Sequence, residues 1–208
     1  MKKSEVFLIF SSYKEANSFI YQSGIDLEKI RPDYFTGKYK DLNIKLYISG
    51  IGEEYTEIFL NKFNLEEESI IVKAGTAAII DPDMDILNSF VPQIVCFEDK
   101  MIDLKATKNF TFLQDLINDK IINKRLLTTK LPLINKEKAM EFFDRGYSFI
   151  DMETFYFIDR LKENFILPLL VGTDRGDCNA KKDFLKNISK ASEILKDSIM
   201  LLLKKILI

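Results

Sequence analysis

The sequence predicts an α/β domain, and three observations predict it. Short apolar runs bounded by turn residues recur along the 208 residues, as strands buried on both faces do. Segments whose apolar residues fall at helical spacing alternate with those runs. No repeat, low-complexity tract or linker interrupts the alternation, so residues 1–208 read as one domain.

Each element has its own signal. Glu5 to Phe10 is a short apolar strand, and Ser11 or Ser12 after it can cap a helix carrying Glu15 in its first turn. Read on its own, Glu15 is a surface capping carboxylate. Pro32 to Gly37 contains a turn, and Tyr34 to Tyr39 with Asp41 to Ile48 forms a hairpin. Ser49-Gly50-Ile51-Gly52 then leads into helical spacing from Glu53 to Asn64, which puts the glycines at a strand-to-helix junction where backbone N–H groups can face a ligand. Ser69 to Ala74 is the next strand, followed by Gly75-Thr76-Ala77-Ala78 as a small-residue loop open to a ligand, then a turn at Asp81-Pro82-Asp83.

Phe90 to Phe97 is another apolar strand, and Glu98-Asp99-Lys100 begins a charged loop expected at the mouth of the same cleft. Residues 104 to 124 are polar, weakly helical around Phe110 to Ile121, and peripheral. Arg125 to Thr129 is a strand, Lys136 to Gly146 a helix with Met140, Phe142 and Phe143 on its apolar side, and Tyr147 to Ile150 a strand entering Asp151-Met152-Glu153. About three turns of helix and an apolar strand follow, ending in Thr173-Asp174-Arg175-Gly176-Asp177. Ala180 to Ile208 is one amphipathic helix with Phe184, Leu185, Ile188, Ile194, Leu195, Ile199 and Leu202 apolar. Its greasy end, Ile199 to Leu203, is far short of the roughly 20 residues a bilayer needs and faces the core or an oligomer partner.

Composition narrows the chemistry. With 30 Lys and Arg against 32 Asp and Glu, the net charge of −2 favours neither nucleic acid nor an anionic membrane, and a small neutral or zwitterionic ligand fits better. Two cysteines without a CxxC pair indicate a reducing compartment, the cytoplasm. The N-terminal apolar run ends after about five residues with no small-residue cleavage site behind it, which reads as a first strand. The chain has 0 histidines, so Ser-His-Asp and Cys-His catalysis and the usual zinc sites are excluded. Acid–base chemistry must then run on carboxylates, lysines, tyrosines or water, and no metal is expected.

Four segments in order resemble the superfamily of purine nucleoside phosphorylases and 5'-methylthioadenosine/S-adenosylhomocysteine nucleosidases. They are the first-strand loop with Glu15; Phe35-Thr36-Gly37 with Ser49-Gly50-Ile51-Gly52; Ala74-Gly75-Thr76-Ala77; and Asp151-Met152-Glu153 with Thr173-Asp174-Arg175-Gly176-Asp177. The resemblance implies a three-layer α/β/α fold with a mixed, partly barrel-like central sheet. It also implies cleavage of the N-glycosidic bond of a purine nucleoside, as in purine salvage, with no cofactor. Position by position, it implies that Glu153 takes the ribose hydroxyls, that Met152 lines the sugar, that Asp174 donates a proton to the base at N7, and that Glu15 orients the attacking water. It carries Ile51, Gly75, Thr76, Ile134 and Asp177 to substrate contacts.

The residue types suit the reaction, because an oxocarbenium-like sugar and a departing anionic base call for carboxylates at the sugar, the water and the base. Each also has a plain structural reading: Met152 as core filler, Glu153 as a helix-start carboxylate, Asp174 and Asp177 as a capping box with Arg175 a solvated neighbour, and Thr173 as a cap. Counting from Pro168 without gaps makes Asp177 the catalytic aspartate, whereas the motif itself favours Asp174, which is preferred.

Two departures from the family pattern bear on the base. Gly75-Thr76-Ala77-Ala78-Ile79 stands where Gly-Ser-Ala-Gly-Gly is usual, and Leu133 stands where a base-stacking Phe is expected. The first-strand loop has no arginine, and the five arginines of the chain are scattered, which favours hydrolysis over phosphorolysis. Lys14, Lys73 and Thr76 keep a phosphate site open, with phosphate then a co-substrate. A degenerate member that binds a ligand without catalysis is the third reading. Family members are oligomers, and a homodimer is expected.

Overall fold

A computed structural model describes residues 5–63, 65, 69–106 and 121–207. Ten strands form one sheet: β1 (Glu5–Phe10), β2 (Leu27–Arg31), β3 (Tyr34–Tyr39), β4 (Leu42–Ile48), β5 (Ile70–Ile79), β6 (Ser89–Phe97), β7 (Lys100–Asp103), β8 (Ile121–Thr128), β9 (Tyr147–Asp151) and β10 (Phe165–Asp174). The helices described are α1 (Tyr13–Gln22), α2 (Glu53–Lys62), α3 (Lys136–Asp144), α4 (Thr154–Leu161) and α5 (Ala180–Ile206). Helices α1 and α5 pack together on one side of the sheet, and α2 packs with α4. The predicted three-layer, mixed α/β/α architecture is what the chain adopts.

The sheet closes on itself at one end. β5 pairs with β10, β10 with β6, β6 with β8, β8 with β9, and β9 returns to β5. Within this five-strand ring Phe90 of β6 and Phe149 of β9 are fully buried and stack with centroids 3.9 Å apart, although β8 separates their strands. They meet across the barrel interior, where side chains fill the space as in other small barrels. The rest of the sheet runs outward from β5 through β1, β4, β3 and β2.

β5 therefore serves two neighbours on one edge. Its first half pairs with β1 up to Phe10 opposite Ala74, and its second half pairs with β9 from Ala78 opposite Ile150. Gly75, Thr76 and Ala77 lie between these partners, held on their other edge by Leu170, Val171 and Gly172 of β10. This fork leaves backbone donors free at the ends of the parallel strands, the position where open α/β sheets bind ligands.

Several sequence expectations need correction. Gly75 to Ala78 is strand rather than loop, because small residues let β5 stay paired with β10 while it changes partners on the other edge. Leu27–Arg31, not anticipated, is a mostly exposed edge strand that the polar alternation does not mark, and the turn before β3 is confined to Pro32 and Asp33. The helix α4 has eight residues, about two turns rather than three. Glu98 and Asp99 make a tight turn between β6 and β7, with Glu98 at a positive φ of 51°, and they do not line the central cavity. Met140 and Leu185 are 56% and 52% exposed rather than core-facing. The weak helix expected around Phe110 lies outside the described residues. Among the described residues no helix is long and apolar enough to cross a membrane.

Candidate active site

A cavity of about 530 Å³ opens at the fork, lined among others by Ser11, Glu15, Thr76, Met152, Glu153 and Asp174. The residues come from β1 and α1, from β5, from the β9–α4 junction and from the end of β10, four segments distant in sequence.

Glu15 stands at the start of α1 with its side chain turned inward. Ser12 is the N-cap: its hydroxyl accepts from the Glu15 N–H, while the Glu15 carboxylate accepts from the Ser12 N–H at 2.8 Å, a reciprocal capping box. The capping role is real, yet Glu15 is 5% exposed and belongs to the cavity wall. Its Oε1 accepts from the Thr76 N–H at 2.9 Å and the Thr76 hydroxyl at 2.8 Å, and its Oε2 also takes the Ser12 hydroxyl at 3.0 Å. The Thr76 N–H is one of the donors the fork frees. Four donors thus fill the roughly four acceptor sites of the carboxylate, so a cavity water reaches it only in place of one of the two rotatable hydroxyls, Ser12 or Thr76.

Glu153 sits at the N-cap of α4 without capping it. Its Oε1 accepts from the Gly52 N–H at 2.6 Å and its Oε2 from the Ser11 hydroxyl at 3.3 Å. Gly52 has φ of 87°, a left-handed conformation that lets the start of α2 aim its N–H at this carboxylate. Burial pushes the Glu153 carboxyl up to about 7; Lys73 pulls against that rise, Asp151 and Glu15 add to it, and the Gly52 N–H opposes it.

Asp151, a residue without an assigned role in the sequence, organises the corner below. Its carboxylate accepts from the Thr128 hydroxyl at 2.6 Å, from the Thr154 N–H at 2.9 Å and from the Thr154 hydroxyl. Burial raises its carboxyl pKa, against the Thr128 and Thr154 hydroxyls, the charge of Lys73 and the Thr154 N–H.

Asp174 closes β10 and lines the cavity, 9% exposed. Its Oδ1 accepts from the Gly176 N–H at 2.9 Å and its Oδ2 from the Thr173 hydroxyl at 3.0 Å. Burial raises its pKa; those two hydrogen bonds lower it, and the charges of Asp183 and Asp177 raise it further. Asp177 does not line the cavity and instead accepts from the Asn179 N–H at 2.7 Å ahead of α5. A substrate contact expected of Asp177 is therefore not what its position offers. Arg175 is not a solvated neighbour: it donates to the Asp81 carbonyl at 2.9 Å and ties the end of β10 to that of β5. Nor is Thr173 a cap: it lies within β10, its hydroxyl donates to Asp174 Oδ2, and the N-cap of α5 is Asn179.

The rest of the wall is largely apolar: Ile51, Ala77, Ala78, Leu133, Ile150 and Phe184. Ile51 and Ile134 line it while 53% and 61% exposed, which puts them at its mouth. Gly75 backs the cavity without lining it. The sequence marks Phe184 only as part of an apolar helix face and Ser11 only as a possible cap; the packing that turns both inward is a tertiary property. Lys73 carried a signal of its own, a lone charge inside the apolar run Ile70-Ile71-Val72-Lys73-Ala74.

No family model matches the chain, and no curated protein matches it in sequence. Solved structures do match. The 5'-methylthioadenosine/S-adenosylhomocysteine nucleosidase of Helicobacter pylori is 14% identical with a TM-score of 0.84, over 99% of this chain and 100% of that one. The chain has the nucleosidase fold. The futalosine hydrolase of Helicobacter pylori superimposes with a TM-score of 0.82 at 15% identity, over 97% of this chain and 98% of that one. The Streptococcus pneumoniae MTA/SAH nucleosidase in complex with 8-aminoadenine does so at 0.78 and 13%, over 96% and 99%. The likeness to the nucleosidase fold thus runs nearly the full length of both partners, while little of the sequence is shared.

Proposed function

We propose that the protein hydrolyses the N-glycosidic bond of a nucleoside, a purine nucleoside of the 5'-methylthioadenosine or S-adenosylhomocysteine type. The observation that carries this reading is the convergence of Glu15, Glu153 and Asp174 on one cavity. Glu153, held by the Gly52 N–H and the Ser11 hydroxyl, accepts hydrogen bonds from the ribose hydroxyls, with Met152 against the sugar. The Ser12 or Thr76 hydroxyl turns away from Glu15, which takes a proton from a water as the water oxygen bonds to C1'. The C1'–N bond breaks, its electron pair goes to the base, and Asp174, whose pKa is raised by burial, donates its proton at N7. Free sugar and free base leave. The proton gained by Glu15 and that lost by Asp174 re-equilibrate through solvent.

Hydrolysis is preferred to phosphorolysis on two grounds. Glu15 already occupies the Thr76 and Ser12 N–H groups that would otherwise hold an anion, and no arginine lines the cavity among the described residues. Apolar residues exposed around the mouth, Ile51, Leu131 and Ile134, support a homodimer that covers them, which sedimentation of the pure protein tests.

The activity test is incubation with methylthioadenosine, S-adenosylhomocysteine, inosine and uridine, with and without phosphate, followed by assay of free base. Release of adenine without phosphate is expected. Release only with phosphate overturns hydrolysis, and no release across the panel leaves a binding protein in which Leu133 has replaced the stacking ring.

A further inference from the structure

Lys73 is the only lysine or arginine that is buried among the described residues, 1% exposed in the middle of β5. The reaction proposed above does not use it. A buried ammonium persists as a charge only where its protons are taken up and opposite charge is near. Here Nζ donates to the Ser11 hydroxyl oxygen at 2.9 Å and to the Ala74 carbonyl at 3.4 Å, and it lies 5.6 Å from the centre of the Phe157 ring. It forms no direct ion pair among the described residues.

Its carboxylates are reached at one remove. An ammonium has donors and no acceptor, so the Ser11 hydroxyl oxygen must accept from it, and the single Ser11 proton is left to point elsewhere. It points to Glu153 Oε2, 3.3 Å away. On the other side, Gly75 keeps a space open: a Cβ there would stand 3.0 Å from Lys73 Nζ and 3.5 Å from Glu15 Oε1. The groups that face Glu153 are thus Lys73 from β5, Asp151 from β9, Glu15 from α1 and the Gly52 N–H from the start of α2. One buried cation stands among three buried carboxylates.

We propose that Lys73 is a positioning residue for the sugar end of the site: its ammonium fixes the Ser11 hydroxyl as a donor to Glu153 and favours the ionised form of Glu153, the form that meets the substrate as an acceptor. The catalytic consequence rests on the reading of Glu153 as the sugar-binding carboxylate; the electrostatic link between the two residues does not. Removing the charge leaves Glu153 with burial and two like charges and nothing of opposite sign, which favours its protonated form at neutral pH.

The test is a carbon-13 NMR titration of the glutamate side chains in the full-length protein, with Glu153 assigned by its absence in Glu153→Gln. In Lys73→Met the Glu153 midpoint is expected to rise by about one pH unit or more. In Ser11→Ala, which keeps the ammonium and removes only the hydroxyl between, a smaller rise is expected, and this variant carries the test if Lys73→Met does not fold. If wild type releases base, the acid limb of kcat/KM moves with the midpoint, toward higher pH. A Glu153 midpoint unchanged in folded Lys73→Met, or unchanged in Ser11→Ala, overturns the proposal. A shifted midpoint in a protein that hydrolyses nothing leaves the link standing and removes the proposed reaction instead.

Discussion

Replacing Asp174 by Asn separates the proposed chemistry from the fold. Both carboxylate oxygens are acceptors in the folded protein, Oδ1 from the Gly176 N–H and Oδ2 from the Thr173 hydroxyl. An amide placed with its oxygen at Oδ1 keeps the first bond, and the hydroxyl can rotate to accept from the new NH₂ group, so no buried partner is orphaned. The charge balance improves. Because burial raises the Asp174 pKa, the folded state binds more protons than the unfolded state just above the ordinary carboxyl range. The contribution of this group is therefore fully present below the unfolded pKa and lost as pH rises through the folded one. The Asp174→Asn variant has no such loss, and its melting temperature at pH 8 is expected to match or exceed that of wild type. Activity behaves in the opposite way: loss of a general acid costs about 10²–10⁴-fold, equivalent to about 3–5 kcal/mol of barrier. Base release by chromatography and thermal melts at pH 5 and pH 8 read the two effects. Activity within a few-fold of wild type would refute the role, and loss of activity with loss of fold would refute the account of the hydrogen bonds.

Glu15→Gln is expected to fail in both respects. Each oxygen receives one backbone N–H and one hydroxyl, so either amide orientation sets an NH₂ against the Thr76 or the Ser12 N–H. That mismatch costs about 1–3 kcal/mol, read as roughly 2–4 °C of melting temperature per kcal/mol, alongside a drop of about 10²-fold or more in base release. Gly172→Ala probes the barrel seam: the added Cβ would stand 2.1 Å from Ile79 Cδ1, across the β5–β10 pair. Overpacking of this kind costs about 1–3 kcal/mol, measured by urea denaturation, and an unchanged midpoint would mean that the seam yields more easily than a packed strand pair should.

Much of the architecture was legible because it depends on local signals. Glu5 to Phe10, Phe90 to Phe97 and Tyr147 to Ile150 are apolar and bounded by turn residues, and each is a strand. Ser12 with Glu15 announces a helix start, and the structure forms the full capping box. Where local signals mislead, the neighbours decide. Gly75-Thr76-Ala77-Ala78 reads as a loop by composition, but pairing with Leu170 to Gly172 keeps it extended. Leu27–Arg31 is too polar and exposed to be found by periodicity, yet Thr36 and Gly37 give it a partner.

The site divides along the same line. Sequence alone determined that any acid–base chemistry here must run without histidine, on carboxylates, and it placed candidate carboxylates on short segments after strands. Composition is a global count, and counts survive folding. What only the tertiary structure decided is which carboxylates meet. Asp174 and Asp177 are three positions apart, but the bend after β10 turns one into the cavity and spends the other on the Asn179 N–H. Lys73 and Ser11 are 62 positions apart and 2.9 Å distant, because β1 and β5 lie side by side in parallel register. Contacts of that range depend on strand pairing, and a single sequence records the strands without recording which ones are neighbours.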